Sequence, residues 1–168
     1  MLRILNKIRQ TGLLTETLPA DPVLEQMGEQ LRAGIAARFH GNLALRQLDA
    51  GSCNACELEI HALNNPYYNL ERYGIHFVAS PRHADVLLVT GPVSVHMETA
   101  LRRTYAAMPA PKLVIAAGDC AACGGEFDRS YASLGAVSNV IPVDAAIPGC
   151  PPSPLILMQG LLQVIQEI

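Results

Sequence analysis

The chain has 168 residues, half of them apolar and 16% charged, and a net charge of −3 at pH 7. This length fits one domain with a buried core, and its apolar runs fall short of the roughly 18 residues that a membrane-spanning helix needs. No long basic run occurs, so we expect no nucleic acid as a partner. Because soluble domains usually carry about a quarter charged residues, this composition predicts that another subunit covers part of the surface. A sparsely charged monomer is the alternative.

The first nine residues have the pattern of a short amphipathic helix. Apolar side chains share one helical face and basic ones lie off it: Leu2, Ile4, Leu5 and Ile8 against Arg3, Lys7 and Arg9. The pattern favours docking on a membrane surface or on a membrane-embedded partner, with a frayed tail as the alternative. The segment lacks the features of a signal peptide, so we expect a cytoplasmic protein, peripheral to the cytoplasmic membrane. Pro19 and Pro22 separate this segment from the rest of the chain.

The remaining residues alternate between helical and strand patterns. Apolar side chains recur every three or four residues from Val23 to Phe39, which predicts an amphipathic helix that the following His-Gly-Asn turn ends. The predicted strands are Leu43–Asp49, Ile75–Ala79, Asp85–Thr90, Lys112–Ala117 and Val140–Val143, and the later helices are Cys56–Asn64, Val95–Met108 and Pro154–Ile168. Such alternation predicts an α/β domain with a mostly parallel sheet. The link from Val78 to Val86 is too short for a crossover helix, so the strands that it joins are not expected to be simple parallel neighbours.

The chemistry-bearing residues of the chain are its five cysteines: Cys53, Cys56, Cys120, Cys123 and Cys150. An odd number of cysteines in an unexported chain argues against a disulfide framework and for metal or redox chemistry. Each group of cysteines follows the carboxyl end of a separate predicted strand. Because those ends line one crevice of an open α/β sheet, we expect the three groups to converge there.

Thiolates in this setting can serve several purposes. A Cys-x-x-Cys turn that opens a helix directs backbone N–H groups at the sulfurs, and nearby glycines let a bulky inorganic centre approach the backbone. Such ligation suits an iron–sulfur cluster. Two Cys-x-x-Cys pairs could instead hold zinc, although these pairs lie much further apart than in zinc modules. A thioredoxin-like redox pair, or cysteines that are simply buried in the core, would also account for the thiols.

Four ordered motifs carry a resemblance to a known family. They are Gly51–Ile60 (GSCNACELEI), Ser80–Asp85 (SPRHAD), Gly118–Cys120 (GDC) and Pro148–Pro152 (PGCPP). Together they resemble the small subunit of membrane-bound, energy-converting [NiFe] hydrogenases of the formate hydrogenlyase type. The homologous cluster-bearing subunit of respiratory complex I, the NADH–quinone oxidoreductase, shares most of the pattern. The likeness covers about residues 40–165, which leaves residues 1–39 as an N-terminal helical extension for docking on a partner or membrane surface and residues 40–168 as the main domain.

The resemblance implies a flavodoxin-like core and one [4Fe–4S] cluster proximal to the active site of a large subunit. The implied ligands are Cys53, Cys56, Cys120 and Cys150. By this resemblance the chain is the electron-transfer subunit of an oxidoreductase, a [NiFe] hydrogenase, with no catalytic metal centre of its own. The implied partners are a [NiFe] hydrogenase-type large subunit, other iron–sulfur subunits and membrane-arm subunits. Glu57 is expected to assist proton movement at the subunit interface or to tune the cluster; an acid favourably placed in the first turn of a helix is the alternative.

The first motif separates the two branches of this family. In the complex I subunit the corresponding motif resembles a tandem Cys-Cys. This chain instead has Cys53-x-x-Cys56, which favours the hydrogenase branch. Ala55 stands where the hydrogenase pattern usually has Gly. Cys123 has no place among the implied ligands, so we interpret Cys123 as a small core residue or a thiol near the cluster. A zinc-stabilised assembly module is the alternative of a different class. The glycines form no phosphate-binding pattern, so neither flavin nor nucleotide is expected.

Overall fold

The computed structural model describes residues 2–12 and 21–167, so Pro19 lies outside the described residues, while Pro22 begins the second helix. In chain order the helices are α1 (Leu2–Thr11), α2 (Pro22–Arg38), α3 (Ala55–Ala62), α4 (Glu98–Ala107), α5 (Asp119–Cys123) and α6 (Pro154–Glu167). The strands are β1 (Leu43–Asp49), β2 (Ile75–Phe77), β3 (Val86–Thr90), β4 (Leu113–Ala117) and β5 (Ala145–Ile147). Short 3-10 turns occur at Leu70–Tyr73, Pro81–His83 and Val137–Asn139.

The described strands form one sheet in the order β2-β1-β3-β4-β5, in which every neighbouring pair is parallel. This is the flavodoxin-like order, and the predicted α/β fold is confirmed. Strands β3 and β4 are buried almost throughout, which is why their sequences are continuous apolar runs. The short link between β2 and β3 joins strands on opposite sides of β1, so the expectation that they are not neighbours is confirmed.

The fifth strand lies later in the chain than the sequence predicted. The predicted strand Val140–Val143 is wrong: its first two residues are buried beside a 3-10 turn, and the strand itself is β5. Burial in the core, rather than extension in the sheet, accounts for the apolar character of the segment, and Pro142 within it has no N–H for a strand ladder. The change leaves only Pro148 and Gly149 between β5 and Cys150.

Two hydrophobic clusters fill the two faces of the sheet. On one face α2 packs with α6, and the α2 side chains buried there are Leu24, Met27, Leu31 and Ile35. Helix α4 covers the other face and buries Leu101. Helix α2 therefore contributes to the core although the sequence assigned it to the extension 1–39, whereas α1 buries no side chain. The role of residues 1–39 as a docking extension stays a prediction.

Candidate metal centre

Four cysteines lie on three loops at the carboxyl edge of the sheet. Cys53 follows β1, and Cys56 lies in the first turn of α3. Cys120 lies at the start of α5, soon after β4, and Cys150 follows β5. Strands β4 and β5 are neighbours, and only β3 separates β4 from β1. The sheet therefore brings to one edge residues that are far apart in the sequence, as expected for loops at the strand ends of an open α/β sheet.

The thiols at this edge influence one another electrostatically. Burial raises the pKa of the Cys56 thiol to about 12, and the further causes are the negative charges of Glu57, Cys120, Cys53 and Cys150. Burial also raises the pKa of the Cys120 thiol, followed by the charges of Cys150 and Cys53. Cys56 and Cys120 each lie within electrostatic reach of the other candidate ligands. A positive centre beside Cys56 and Cys120 would favour the thiolate forms of these two side chains.

Two glycines, which have no side chain, lie next to two of these sulfur atoms. Gly118 has a φ of +89°, and a Cβ built on it would lie 2.7 Å from Cys56 Sγ. Gly125 has a φ of +54°, and a Cβ there would lie 2.8 Å from Cys120 Sγ. Residues with a side chain rarely adopt such φ values, and both contacts are too short for a carbon atom beside sulfur. Glycine at these two positions therefore keeps the space around the sulfurs free.

Glu57, the residue for which a proton-carrying role was predicted, is buried with 5% of its surface exposed. Its Oε2 accepts a hydrogen bond of 2.5 Å from the Ser52 hydroxyl, which in turn accepts one from the Asn54 amide. Its Oε1 is also buried and, among the described residues, has no hydrogen-bonding partner. Leaving a buried carboxylate oxygen unpaired is costly, so Oε1 is an acceptor that still requires a donor.

Cys123 lies at the other end of α5 from Cys120. It is exposed, and its Sγ–H donates a hydrogen bond to the Asp119 carbonyl oxygen, with a sulfur–oxygen distance of 3.2 Å. The interpretation of Cys123 as a small core residue is therefore wrong: Cys123 is the last residue of a five-residue helix and is exposed there. Its exclusion from the ligands stays a prediction.

The donor chemistry at this edge is compatible with an iron–sulfur cluster, because such clusters take thiolate ligands and four cysteines lie here. In residues 2–12 and 21–167, no three His, Cys, Asp or Glu side chains converge closely enough to hold one metal ion. The bare backbone at Gly118 and Gly125 provides the clearance that a cluster needs.

An exposed aromatic side chain lies beside Cys53. A cavity of about 270 Å³ next to Cys53 is lined by Phe127, which is 59% exposed. Tyr131, further along the same loop, is 99% exposed. The sequence analysis did not single out either residue. The one feature that could have drawn attention to them is the scarcity of aromatic side chains, which make up 5% of the chain. Large apolar side chains displayed beside a candidate redox site are typical of a surface that binds another protein.

Residues 53–164 match the protein family described as "NADH ubiquinone oxidoreductase, 20 Kd subunit". The match begins at Cys53 and includes every candidate ligand as well as Glu57. The chain belongs to this family. Membership confirms the resemblance to the complex I subunit and agrees with the expectation of an oxidoreductase subunit.

Relatives of this member of the 20 kDa-subunit family include hydrogenase subunits. An uncharacterized protein of Methanocaldococcus jannaschii is 47% identical over 117 residues, which are 70% of this chain and 78% of that protein. Formate hydrogenlyase subunit 7 of Escherichia coli is 35% identical over 148 residues, which are 88% of this chain but only 58% of the relative. A Pyrococcus furiosus protein described as "Probable membrane-bound hydrogenase subunit mbhJ" is 41% identical over 121 residues, 72% of each chain. The predicted likeness to a formate hydrogenlyase subunit is confirmed.

Solved structures show the same fold. A chain of the membrane-bound sulfane sulfur reductase, an archaeal respiratory membrane complex, is 33% identical with a TM-score of 0.65, covering 74% of this chain and 69% of that one. A chain of an NAD+-reducing [NiFe]-hydrogenase is 18% identical with a TM-score of 0.57, covering 75% of this chain and 92% of that one, which shows the fold alone. Among the described residues, no helix has the length and apolar character needed to cross a bilayer.

Proposed function

We propose that this chain is the electron-transfer small subunit of a membrane-associated [NiFe] hydrogenase complex. In this role it holds one [4Fe–4S] cluster, proximal to the active site of the large subunit, through Cys53, Cys56, Cys120 and Cys150. The observation that carries the proposal is that these cysteines come from three strand ends to one edge of the sheet. The hydrogenase setting is supported by the relatives described as a formate hydrogenlyase subunit and a probable membrane-bound hydrogenase subunit.

The residues of the chain have distinct tasks in this proposal. When bound, an iron–sulfur cluster accepts and releases single electrons. The loops after β1, β4 and β5 supply the thiolates and hold them on a rigid sheet, while Gly118 and Gly125 keep side chains out of the space between them. Burial of Cys56 lowers the local dielectric, which contributes to the reduction potential together with hydrogen bonds to sulfur.

The exposed side of the site is the surface that we assign to the large subunit. Cys53 and Cys150 are exposed, so this side of the site needs a partner to exclude water. Phe127 lines the cavity beside Cys53, and Tyr131 is exposed further along the same loop, so the two side chains offer apolar area for an interface. Further iron–sulfur subunits and membrane-arm subunits complete the proposed complex, which places the chain on the cytoplasmic side, peripheral to the membrane.

We assign Glu57 a part in proton movement at this interface. Its carboxylate is buried, one oxygen is held by Ser52, and the other has no donor among the described residues. A carboxylate with one fixed and one free oxygen can take a proton from a donor on one side and release it to an acceptor or to water on the other. Its alternative use, stabilising the first turn of α3, requires neither burial nor an unpaired oxygen.

A quinone-linked complex of the complex I type is the second candidate, because the family itself is described by that enzyme. The spacing Cys53-x-x-Cys56 favours the hydrogenase branch over it. Identifying the partner chain distinguishes the two. A co-purified large subunit with two cysteine pairs that bind nickel supports the hydrogenase, whereas a large subunit without them supports the quinone-linked complex.

The cluster itself is tested on the chain purified anaerobically with its partner. We expect a brown protein with about four irons and about four sulfides per chain and a paramagnetic signal on reduction. Serine at any of the four proposed ligands should reduce the iron content and change the signal, whereas Cys123→Ser, the matched control, should leave both unchanged. A colourless protein that contains zinc would overturn the proposal and favour a structural assembly module.

A further inference from the structure

Helix α1 displays an apolar face that the described protein does not cover. Every residue from Leu2 to Gly12 is exposed, and the exposed fractions of the apolar side chains are high: Leu2 84%, Leu5 60%, Ile4 65% and Ile8 59%. A helix of this length is marginal in water unless its apolar face is buried against something. The face therefore requires an occupant.

The charges on α1 are arranged around that face. At about 100° per residue, Ile4, Ile8 and Leu5 lie within a narrow arc. Lys7 borders the arc beside Ile4, and Arg9 borders it beside Leu5. Residues 1–12 contain three cations, Arg3, Lys7 and Arg9, and no acid, although the whole chain has a net charge of −3. A cluster of positive charge thus lies on α1, which among the α-helices of the described residues is the one that buries no side chain.

We propose that α1 binds the surface of an anionic lipid bilayer, lying in its plane with Ile4, Leu5 and Ile8 inserted below the headgroups. Long basic side chains at both borders of an apolar face can extend up to lipid phosphates while their stems stay in the apolar layer. A protein partner fits less well, because residues 2–12 contain none of the aromatic side chains that dominate protein interfaces. The inference is independent of the cluster and gives the membrane-peripheral chain a lipid contact of its own.

The test uses the full chain and vesicles of two compositions, phosphatidylcholine alone and phosphatidylcholine with a quarter phosphatidylglycerol. In flotation assays the chain should bind the anionic vesicles at least tenfold more tightly than the neutral ones, and high salt should weaken this binding. Ile8→Glu places a charge in the apolar face and should reduce binding to anionic vesicles at least tenfold. Val23→Glu on α2 is the matched control, because Val23 is also 59% exposed, and it should bind like the original chain.

Each outcome decides the proposal. Failure of the full chain to bind anionic vesicles overturns it and leaves a protein partner as the occupant. Equal binding by the Ile8→Glu variant also overturns it, since another surface would then carry the attraction. Because α1 buries no side chain, Ile8→Glu should leave the far-ultraviolet circular dichroism of the domain and its iron content unchanged. These two measurements separate loss of lipid binding from loss of the fold or of the cluster.

Discussion

Asp119 and Gly149 bind each other in both directions across the loops that follow β4 and β5. The Asp119 amide donates to the Gly149 carbonyl oxygen at 2.9 Å, and the Gly149 amide donates to Asp119 Oδ1 at 2.8 Å. Cys120 and Cys150 directly follow these two residues in the chain. The two hydrogen bonds therefore set the separation of two candidate ligands within the protein itself.

Removing the side-chain half of this link should impair cluster binding. Asp119→Ala leaves the half-buried Gly149 amide without its acceptor, and we expect a loss of about 1–3 kcal/mol in the free energy of unfolding. Iron content after anaerobic reconstitution should fall as well. Asp119→Asn retains an oxygen acceptor and should bind iron normally. Urea unfolding and iron analysis measure both effects, and full iron binding by the alanine variant would show that the link is dispensable.

Adding one methyl group at Gly118 should disturb the site more than backbone strain explains. A Cβ there would lie 2.7 Å from Cys56 Sγ at a φ of +89°. Gly41 is a matched control, since its φ is +94° and nothing lies within 4 Å of a Cβ built on it. We expect Gly41→Ala to cost about 1 kcal/mol of stability and to leave the cluster intact. Gly118→Ala should cost about 1–3 kcal/mol more and lose iron; equal behaviour of the two variants would contradict the crowding of Cys56.

Alkylation of the cluster-free protein should spare Cys56. Burial raises the pKa of its thiol to about 12, so at pH 8 only roughly one molecule in ten thousand carries the reactive thiolate there. The exposed Cys53, Cys123 and Cys150 should be labelled first by iodoacetamide. Labelling of Cys56 should increase as the pH rises towards 12 or after unfolding. Peptide mass spectrometry gives the order, and early labelling of Cys56 at pH 8 would be inconsistent with its burial.

The exposed aromatic side chains beside Cys53 should contribute to binding of the large subunit. We expect Phe127→Ala and Tyr131→Ala each to weaken the complex at least tenfold, because truncating a side chain that is a hot spot of an interface costs about 2 kcal/mol or more. Tyr67→Ala serves as the control, since Tyr67 is 40% exposed but its hydroxyl contacts Asp21 at the start of α2. Dissociation rates of the purified complex provide the measurement. Unchanged rates for both loop variants would place the interface elsewhere.

Neutralising Glu57 should slow turnover without changing the cluster. Glu57→Gln keeps the shape of the side chain and its acceptor for the Ser52 hydroxyl but cannot carry a proton. We expect hydrogenase activity of the complex to fall about 100-fold or more, in line with the loss of a positioned acid–base group. Ser52→Ala should cause a smaller decrease, because it removes only the hydrogen bond that orients the carboxylate. Unchanged activity with an unchanged paramagnetic signal would reject the proton role.

The sequence predicted the sheet and the place of the cysteines, because continuous apolar runs identify buried parallel strands and the loops after such strands converge. The prediction of the fifth strand was wrong, because Val140 and Ile141 are apolar and buried but lie beside a 3-10 turn rather than in a strand. The sequence also did not reveal that Cys123 is exposed or that one Glu57 oxygen has no hydrogen-bond donor among the described residues, since both depend on how the loops pack at the edge of the sheet. The pattern of apolar residues along the sequence indicates burial and periodicity. The exposure of Cys123 and the hydrogen bonding of Glu57 are instead determined by tertiary packing.

The position of β5 at the end of the sheet has a consequence for biosynthesis. Cys53 is synthesised before most of the sheet, but Cys150 reaches the same edge only after β5 has been synthesised and has paired with β4. Before β5 is made, the nascent chain therefore offers at most an incomplete set of thiols. Complete ligation of the proposed cluster must follow synthesis of β5 and Cys150, and a chain truncated before β5 would remain colourless however much of its sheet had folded.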